Sequence, residues 1–437
     1  MGFFSSIGSF CSSVGSAISR GVSAVYNKAK EVAGKAIGWM AEKAEGFVRS
    51  AKAAWQVVKP YVQKAQGLIR AAAAAAPHPW LKSALLALDA AISTLTAFEN
   101  SPIAKKIDTA IKWAIQLAQR WQASRQSAQS AQQQQNSEYE DVLTDEELVT
   151  AEKHQATFRT VENELDDDRT REACELAASI NDFQVAKTRL AKALEGEPTD
   201  FEHYLRLRAT QKLLKMAEET FKNAKVIDDI DADKLFLVRI ASNLVKPNPE
   251  LSMDAAKKLD RVLQTTRGTT LAPFVFEEMV GSWGAMAKDL NTQWTEANKK
   301  LSQMNVACKS LLLNKQLQGH LAPDEEVELK RLQNEVPIAK TRLQDLDGQR
   351  NDIARYVGAI EGFLQLLEKS QEEIEANGHS YLFKDGARVG TILMRCAQEG
   401  IAFNDLELDD QDLITDYANI FTAEAGLRME RVLEVTV

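Results

Sequence analysis

A heptad repeat of apolar residues constrains the fold of this chain more than any other feature. Its first arm runs from Trp294 to Leu311, and residues 319–323 then supply a turn. The return arm keeps the repeat over about six heptads, to Ile374, which predicts a coiled coil, and the short turn makes its two arms antiparallel. We expect its apolar residues to form the seam and to mediate oligomerisation: Leu329, Leu332, Val336, Leu343, Leu346, Ile353, Ile360, Leu364 and Leu367. Pro337 predicts a kink in this arm.

Helix-breaking residues are scarce, with only 10 prolines and 21 glycines in 437 residues. Alternating, strand-like runs are almost absent. The sequence therefore predicts an all-α fold, namely an elongated helical bundle with a long antiparallel coiled-coil hairpin and a small C-terminal module. One exception lies in that module, where Asp385-Gly386 between apolar residues is typical of a hairpin turn, so we expect a mixed module with one β-hairpin.

Residues 21–70 carry a second long pattern, an apolar stripe on a basic helix. Apolar residues recur every three or four positions from Val25 to Leu68, which predicts one continuous helical face. The opposite face is rich in lysine and arginine. The candidate membrane-binding residues of this segment are Lys28, Lys35, Trp39, Met40, Phe47, Arg49, Lys52, Trp55, Lys59 and Lys64.

The stripe has two interpretations. An apolar face at helical spacing is commonly the buried side of a bundle. A basic face opposite weakly apolar residues also suits a helix in the surface of an anionic membrane. Gly34 and Gly38 each weaken a helix in water by up to about 1 kcal/mol, and Trp39 and Trp55 are typical of membrane interfaces. We therefore expect lipid contact and keep the bundle core as the alternative.

The first twenty residues form an apolar peptide that is uncharged until Arg20. Its candidate membrane-binding residues are Phe3, Phe4, Ile7 and Phe10. The positively charged start of a secretory signal is missing, and the four cysteines include no CxxC pair. We therefore expect reduced thiols and a protein made in the cytoplasm, with peripheral or inducible membrane association.

Charge is distributed unevenly beneath a formal net charge of −9. Residues 1–125 carry 16 Lys and Arg against 6 Asp and Glu, whereas the remainder carries 37 against 56. A basic head attracts anionic lipids, and an acidic body repels phosphate. Anionic membrane lipids are the expected partners, and nucleic acid is not.

Composition divides the chain into five regions. Residues 80–98 are just long enough to cross a bilayer, but Asp89 near their centre opposes insertion, so we expect a buried or inducibly inserted helix. The regions are a basic amphipathic head (1–125), a Gln/Ser-rich linker (126–140), an acidic helical body (141–284), the coiled-coil hairpin (285–377) and a C-terminal capping module (378–437). Within the body, Thr144 and Glu147 predict a helix start, and breaks are expected near residues 196–198 and 228–233.

No pattern of residues points to catalysis or metal binding. The five histidines are scattered, and no phosphate-binding loop is present. Asp229, Asp231 and Asp233 begin like a calcium loop, but Lys234 and Ile240 stand where Gly and Glu are required. We expect no enzyme activity, cofactor or metal.

These features predict a membrane-active protein whose head binds lipid and whose hairpin drives oligomerisation. The layout of a long helical body, a hairpin and a weakly apolar segment resembles that of α-helical pore-forming toxins, which implies insertion by a homo-oligomer. Two alternatives remain, a lipid-surface coat or remodelling protein that forms no pore, and a soluble coiled-coil scaffold that binds a helical protein partner.

Overall fold

A computed structural model describes residues 3–17, 24–40, 51–52, 54–56, 59, 87–88, 102–128, 142–161, 168–224, 229–399 and 401–433. Every regular element within these ranges is a helix, which confirms the all-α class. The helices are α1 (Phe3–Ala17), α2 (Ala24–Met40), α3 (Pro102–Ala128), α4 (Asp145–Val161), α5 (Asp168–Ala193), α6 (Phe201–Asn223), α7 (Ala232–Leu244), α8 (Met253–Arg267), α9 (Leu271–Gln318), α10 (Pro323–Glu368), α11 (Gln371–Ala376), α12 (Leu382–Glu399), α13 (Leu408–Ile420) and α14 (Thr422–Leu433). The expected helix at residues 80–98 lies almost wholly outside these ranges.

Helix starts in the acidic body follow the predicted capping chemistry. The Thr144 backbone N–H donates to Glu147 Oε2 at 2.9 Å, and the Glu147 N–H donates back to Thr144 Oγ1 at 3.3 Å. The breaks predicted near residues 196–198 and 228–233 separate α5, α6 and α7. Helices α3, α4, α5 and α7 then pack into one bundle.

The predicted hairpin is formed by α9 and α10. Gly319 ends α9 with φ +76°, a conformation that favours glycine, and α10 begins at Pro323. The pairing is antiparallel, since Lys315 lies 3.4 Å from Glu326 near the turn and the Phe276 and Phe363 rings lie 5.2 Å apart at the base.

The return arm is shorter than its heptads predict. α10 passes through Pro337 as one helix but ends at Glu368, so Ile374 belongs to the separate helix α11. Ser370 accounts for the break, because its backbone N–H donates to Glu373 Oε2 at 2.8 Å and its hydroxyl accepts the Glu373 N–H at 3.3 Å. This capping pair starts a new helix where the repeat predicts continuation.

The β-hairpin expected in the C-terminal module is wrong. Asp385 and Gly386 lie in the first turns of α12, which packs against α10. A Cβ on Gly386 would lie 3.0 Å from Leu366, and one on Gly390 would lie 2.7 Å from the Phe363 ring. These glycines permit close helix packing rather than a turn. The Asp-Gly pattern does not distinguish these two uses of glycine.

The base of the hairpin lies within the main core, and its distal part projects. Helices α2, α12, α13 and α14 pack around the base of α9 and α10. Between Asn291 and Arg350, side chains outside the seam are largely exposed. This projecting part, residues 291–350, extends roughly 40 Å at 1.5 Å per residue.

Candidate functional site

Glycine brings the backbones of α1 and α2 into direct contact. A Cβ atom built on Gly8 would lie 2.6 Å from the backbone nitrogen of Gly38 and 2.7 Å from the carbonyl oxygen of Gly34. A Cβ on Gly34 would collide with Ser12 of α1. Each helix therefore presents two small residues, four positions apart, at the crossing. We call α1 and α2 together the small-residue hairpin.

Sequence reasoning missed this contact because it weighed Gly34 and Gly38 only for their cost to a helix. The signal was nonetheless present. Gly8 and Ser12 on one helix, and Gly34 and Gly38 on the next, repeat the small-x-x-x-small spacing that lets helix backbones approach closely.

The predicted membrane-binding residues of α1 are buried in the protein. α1 packs against α8 and α9 as well as α2. Its four large candidate side chains, Phe3, Phe4, Ile7 and Phe10, are at most 5% exposed. The 15 residues of α1 include no charged group. In this conformation the rest of the protein therefore covers the apolar surface of α1 that we expected to contact lipid.

The serines of α1 satisfy hydrogen bonds within the helix. Ser9 Oγ donates to the Ser5 carbonyl at 3.1 Å, and Ser13 Oγ donates to the Phe10 carbonyl at 2.8 Å. Hydroxyls bonded to their own helix do not require water. These two serines therefore add little to the cost of moving α1 into an apolar environment.

α2 has a buried face and a basic face, as the stripe predicts. Lys28 and Lys35 are exposed, and Lys35 Nζ lies 2.6 Å from Glu31 Oε1. The apolar side is made of buried small and branched residues, namely Ala29, Ala33, Ala36 and Ile37. The basic face is thus available to solvent while the apolar face is used inside the protein.

Trp55 lies in the core, at the connection between α5 and α6. Its indole nitrogen donates to the Gly196 carbonyl at 3.1 Å, and its ring packs edge-on against Tyr204 at 6.3 Å. Nearby Lys52 is exposed, and its amine lies 3.7 Å from a Glu197 carboxylate oxygen. Contact of Trp55 with lipid would require this segment to leave the body.

The remaining candidates of the head are only partly described. Lys59 is half-buried. The backbones of Trp39 and Met40 belong to α2, and nothing is described of their side chains. The predicted contributions of Phe47, Arg49 and Lys64 lie outside the described residues, as does the continuity of the helix between residues 41 and 50.

The nine predicted oligomerisation residues lie inside one chain. Five are buried and four half-buried, and none is exposed. The buried ones are Leu329, Leu332, Leu346, Ile360 and Leu364, and the half-buried ones are Val336, Leu343, Ile353 and Leu367. In this conformation the two arms cover the seam themselves, so the seam is not available to a second copy.

The outer surface of the projecting arm carries exposed apolar side chains. Leu317, beside the turn, is 83% exposed, and others are Val306, Leu313, Val327 and Ile338. Heptad reasoning did not select them because they occupy positions outside the repeat. Val306, Leu313 and Leu317 follow one another at spacings of seven and four residues, so they share one face of α9.

A buried ion pair joins α6 to α9. Glu278 is fully buried and lies 2.9 Å from Arg208 Nε and 2.7 Å from Lys212 Nζ. Burial by itself would raise the pKa of Glu278, but the charges of Arg208 and Lys212 hold it below its ordinary value. Arg208 also donates to the Val432 carbonyl at 2.5 Å, which attaches α14 to the core.

A cavity of about 520 Å³ lies beneath α1. Phe3, Phe4 and Ile7 line one side, and α6, α7, α8, α9, α10 and α14 supply the other walls. Cys11 of α1 is also buried, and burial, assisted by Asp260, raises the pKa of its thiol to about 12. This thiol is therefore protonated at neutral pH and a poor nucleophile. α1 therefore forms one wall of this cavity.

Within the described ranges, no group of three or more His, Cys, Asp or Glu side chains is placed to hold a metal ion. All four cysteines are unpaired. No helix in the described part of the chain has both the length and the apolar character required to cross a bilayer.

No model of a known protein family matches the chain, and no curated protein or solved structure is significantly similar to it.

Proposed function

We propose that this chain is a non-enzymatic, membrane-active protein that engages anionic lipid through its head and oligomerises to permeabilise the bilayer. The observation that carries this proposal is the glycine contact between Gly8 and Gly34 in the small-residue hairpin. Contact between backbones depends on van der Waals packing, which is as favourable in lipid as in water. The hairpin can therefore leave the body as a pair without losing its internal contact.

The composition of α1 supports the same mechanism. An uncharged helix with serines bonded to its own backbone has a small desolvation cost in lipid. In water its Phe and Ile side chains need cover, which α8 and α9 supply. Storage in the body and burial in lipid are thus alternative ways to remove the same apolar surface from water.

Charge on α2 directs the encounter with the membrane. Lys28 and Lys35 are exposed while α1 is still buried, so electrostatic attraction precedes insertion. Each lysine near an anionic surface is worth about 1 kcal/mol. α1 extends only about 22 Å, less than the roughly 30 Å hydrocarbon core, so one copy does not span the bilayer as a single straight helix. We therefore expect permeabilisation to depend on the assembly of several copies.

Vesicle flotation with two charge-reversed variants tests the proposal. Lys28→Glu with Lys35→Glu alters the basic face, and Lys299→Glu with Lys300→Glu makes the same charge change on exposed arm positions. We expect the first variant to partition onto anionic vesicles at least roughly 30-fold less than the wild type, because two attractions are lost and repulsion is added, and the second to match the wild type. Neutral vesicles and high salt should abolish the difference.

The other outcomes distinguish the alternative functions. Flotation without dye leakage would indicate a surface coat or remodelling protein rather than a permeabilising one. Equal loss in both variants would show that net charge, not the head, governs binding. If the wild type does not float on anionic vesicles, the membrane proposal fails and the stripe is the core of a scaffold.

A further inference from the structure

We infer that the cavity beneath α1 is a binding site for a single-chain anionic amphiphile, with the acyl chain inside and the head group at Gln211 and Lys215 of α6. The inference goes beyond the proposed function and does not depend on it. The cavity has a volume of about 520 Å³, which falls within the roughly 300–1,000 Å³ of small-molecule sites.

The interior of the cavity suits an alkyl chain. Phe3, Phe4 and Ile7 of α1 face apolar side chains from four other helices. The contributors from α6, α7, α8 and α9 include Met216, Ile240, Leu263 and Phe274. An alkyl chain gains free energy by leaving water for such a lining.

One buried polar side chain in the lining, Gln211, has a hydrogen-bond donor without a partner. Gln211 is 7% exposed, and its Nε2 atom has no hydrogen-bond partner. Its Oε1 atom accepts from Arg208 Nη1 at 2.7 Å, which sets the orientation of the amide. A buried donor without a partner is costly, and a carboxylate or phosphate oxygen would satisfy it.

A cation stands on the same face of α6. Lys215 follows Gln211 by four positions, which is one helical turn, and it is half-buried in the cavity wall. It makes no ion pair with any described residue. Gln211 and Lys215 together therefore offer an amide donor and an unneutralised ammonium group to one anionic head group.

The other charged groups of the wall are already paired. Glu277 accepts from Arg428 Nη1 at 2.8 Å and from Arg431 Nη2 at 2.5 Å. Glu368 also accepts from Arg428, at 2.8 Å. Arg267 lies 3.1 Å from Glu219. The carboxylates consequently do not cancel the charge of Lys215, and an anion is favoured over a cation.

Calorimetric titration of the full chain with four twelve-carbon amphiphiles tests the inference. Dodecanoate and dodecyl phosphate carry anionic heads, dodecanol carries none, and dodecylammonium carries a cation. We expect the anionic pair to bind with single-site saturation, dodecanol to bind more weakly, and dodecylammonium not to bind. Tighter binding of dodecanoate indicates a free fatty acid as the ligand, and tighter binding of dodecyl phosphate indicates a lysophospholipid head.

Two variants locate the site. Lys215→Glu should weaken dodecanoate binding roughly tenfold or more, because a hydrogen bond to a charged group is lost and repulsion is added, while Lys309→Glu on the exposed arm should not. Leu263→Trp places a larger side chain in the lining and should weaken the binding of dodecanol as well. The inference is overturned if none of the amphiphiles binds, if all four bind equally, or if Lys215→Glu binds dodecanoate like the wild type.

Discussion

Gly8 of α1 lies directly against the backbone of Gly34 of α2, with no side chain between the two helices. Gly34→Ala should therefore force them apart and destabilise the protein by about 1–3 kcal/mol, the range for overpacked sites. Gly38→Ala is a matched control four residues away, because its new Cβ would have no atom within 4 Å. It should instead stabilise the helix by up to about 1 kcal/mol. Urea unfolding measures both, and equal effects would contradict the described crossing.

Removal of the buried charge at position 278 should be among the most damaging single changes. Glu278→Gln leaves Arg208 and Lys212 without their common partner, which costs about 3–5 kcal/mol for a buried pair. Glu328→Gln removes an exposed partner of Arg331 on the arm and should cost far less, because solvent screens an exposed ion pair.

A double replacement, Arg208→Met with Glu278→Leu, separates the loss of the ion pair from the cost of leaving a buried charge unpaired. It removes both charges and should recover part of the lost free energy of unfolding, since apolar groups of similar size avoid the desolvation cost. If thermal denaturation shows Glu278→Gln to be as stable as Glu328→Gln, the buried pair does not contribute as the structure indicates.

Asp182 should make the protein more stable at mildly acidic than at neutral pH. Burial raises the pKa of this carboxyl to about 6, although Gln155 donates to its Oδ1 atom at 2.6 Å. Between its unfolded pKa, near 3.9, and about 6, the folded state binds more protons than the unfolded state. The contribution of Asp182 to stability therefore declines as pH rises through this window.

Asp182→Asn should remove that dependence, because the amide oxygen can still accept from Gln155. We expect the variant to resemble the wild type near pH 4 and to be more stable by about 3 kcal/mol at pH 7.5. Denaturant titrations at both pH values measure the difference. A variant that is no more stable than the wild type at pH 7.5 would show that Asp182 is not held in the described environment.

Self-association should depend on the outer surface of the arm rather than on its seam. Leu313→Lys with Leu317→Lys places charge on exposed apolar positions and should abolish oligomers on vesicles, measured by cross-linking. Leu408→Lys, at an exposed position on α13, is the control and should have no effect. Oligomers that persist in the arm variant would indicate that the coiled-coil hairpin opens and that its seam pairs with the seam of a second copy.

The helical architecture was largely predictable because its signals are local. Heptad spacing and Gly319 located the hairpin, and Thr144 with Glu147 located a helix start. Asp385-Gly386 was misassigned because a glycine needed for contact with Leu366 resembles a glycine needed for a turn. That distinction depends on a helix contact that no local pattern encodes.

The candidate site was less predictable, since its contacts join distant parts of the chain. A stripe at helical spacing is the same whether it faces a protein core or lipid, and only the structure places Trp55 against Tyr204. Gln211 and Glu278 gave no signal, because their importance comes from burial and from partners on other helices.

The walls of the cavity also bear on how this protein is made. Phe3 and Phe4 line the same cavity as Val432, so its walls are incomplete until the intervening chain has been synthesised. At 5–20 residues per second, that takes roughly 20–90 seconds. During translation an uncharged apolar helix is therefore exposed on the nascent chain, where a chaperone or a nearby membrane competes with folding for the same surface.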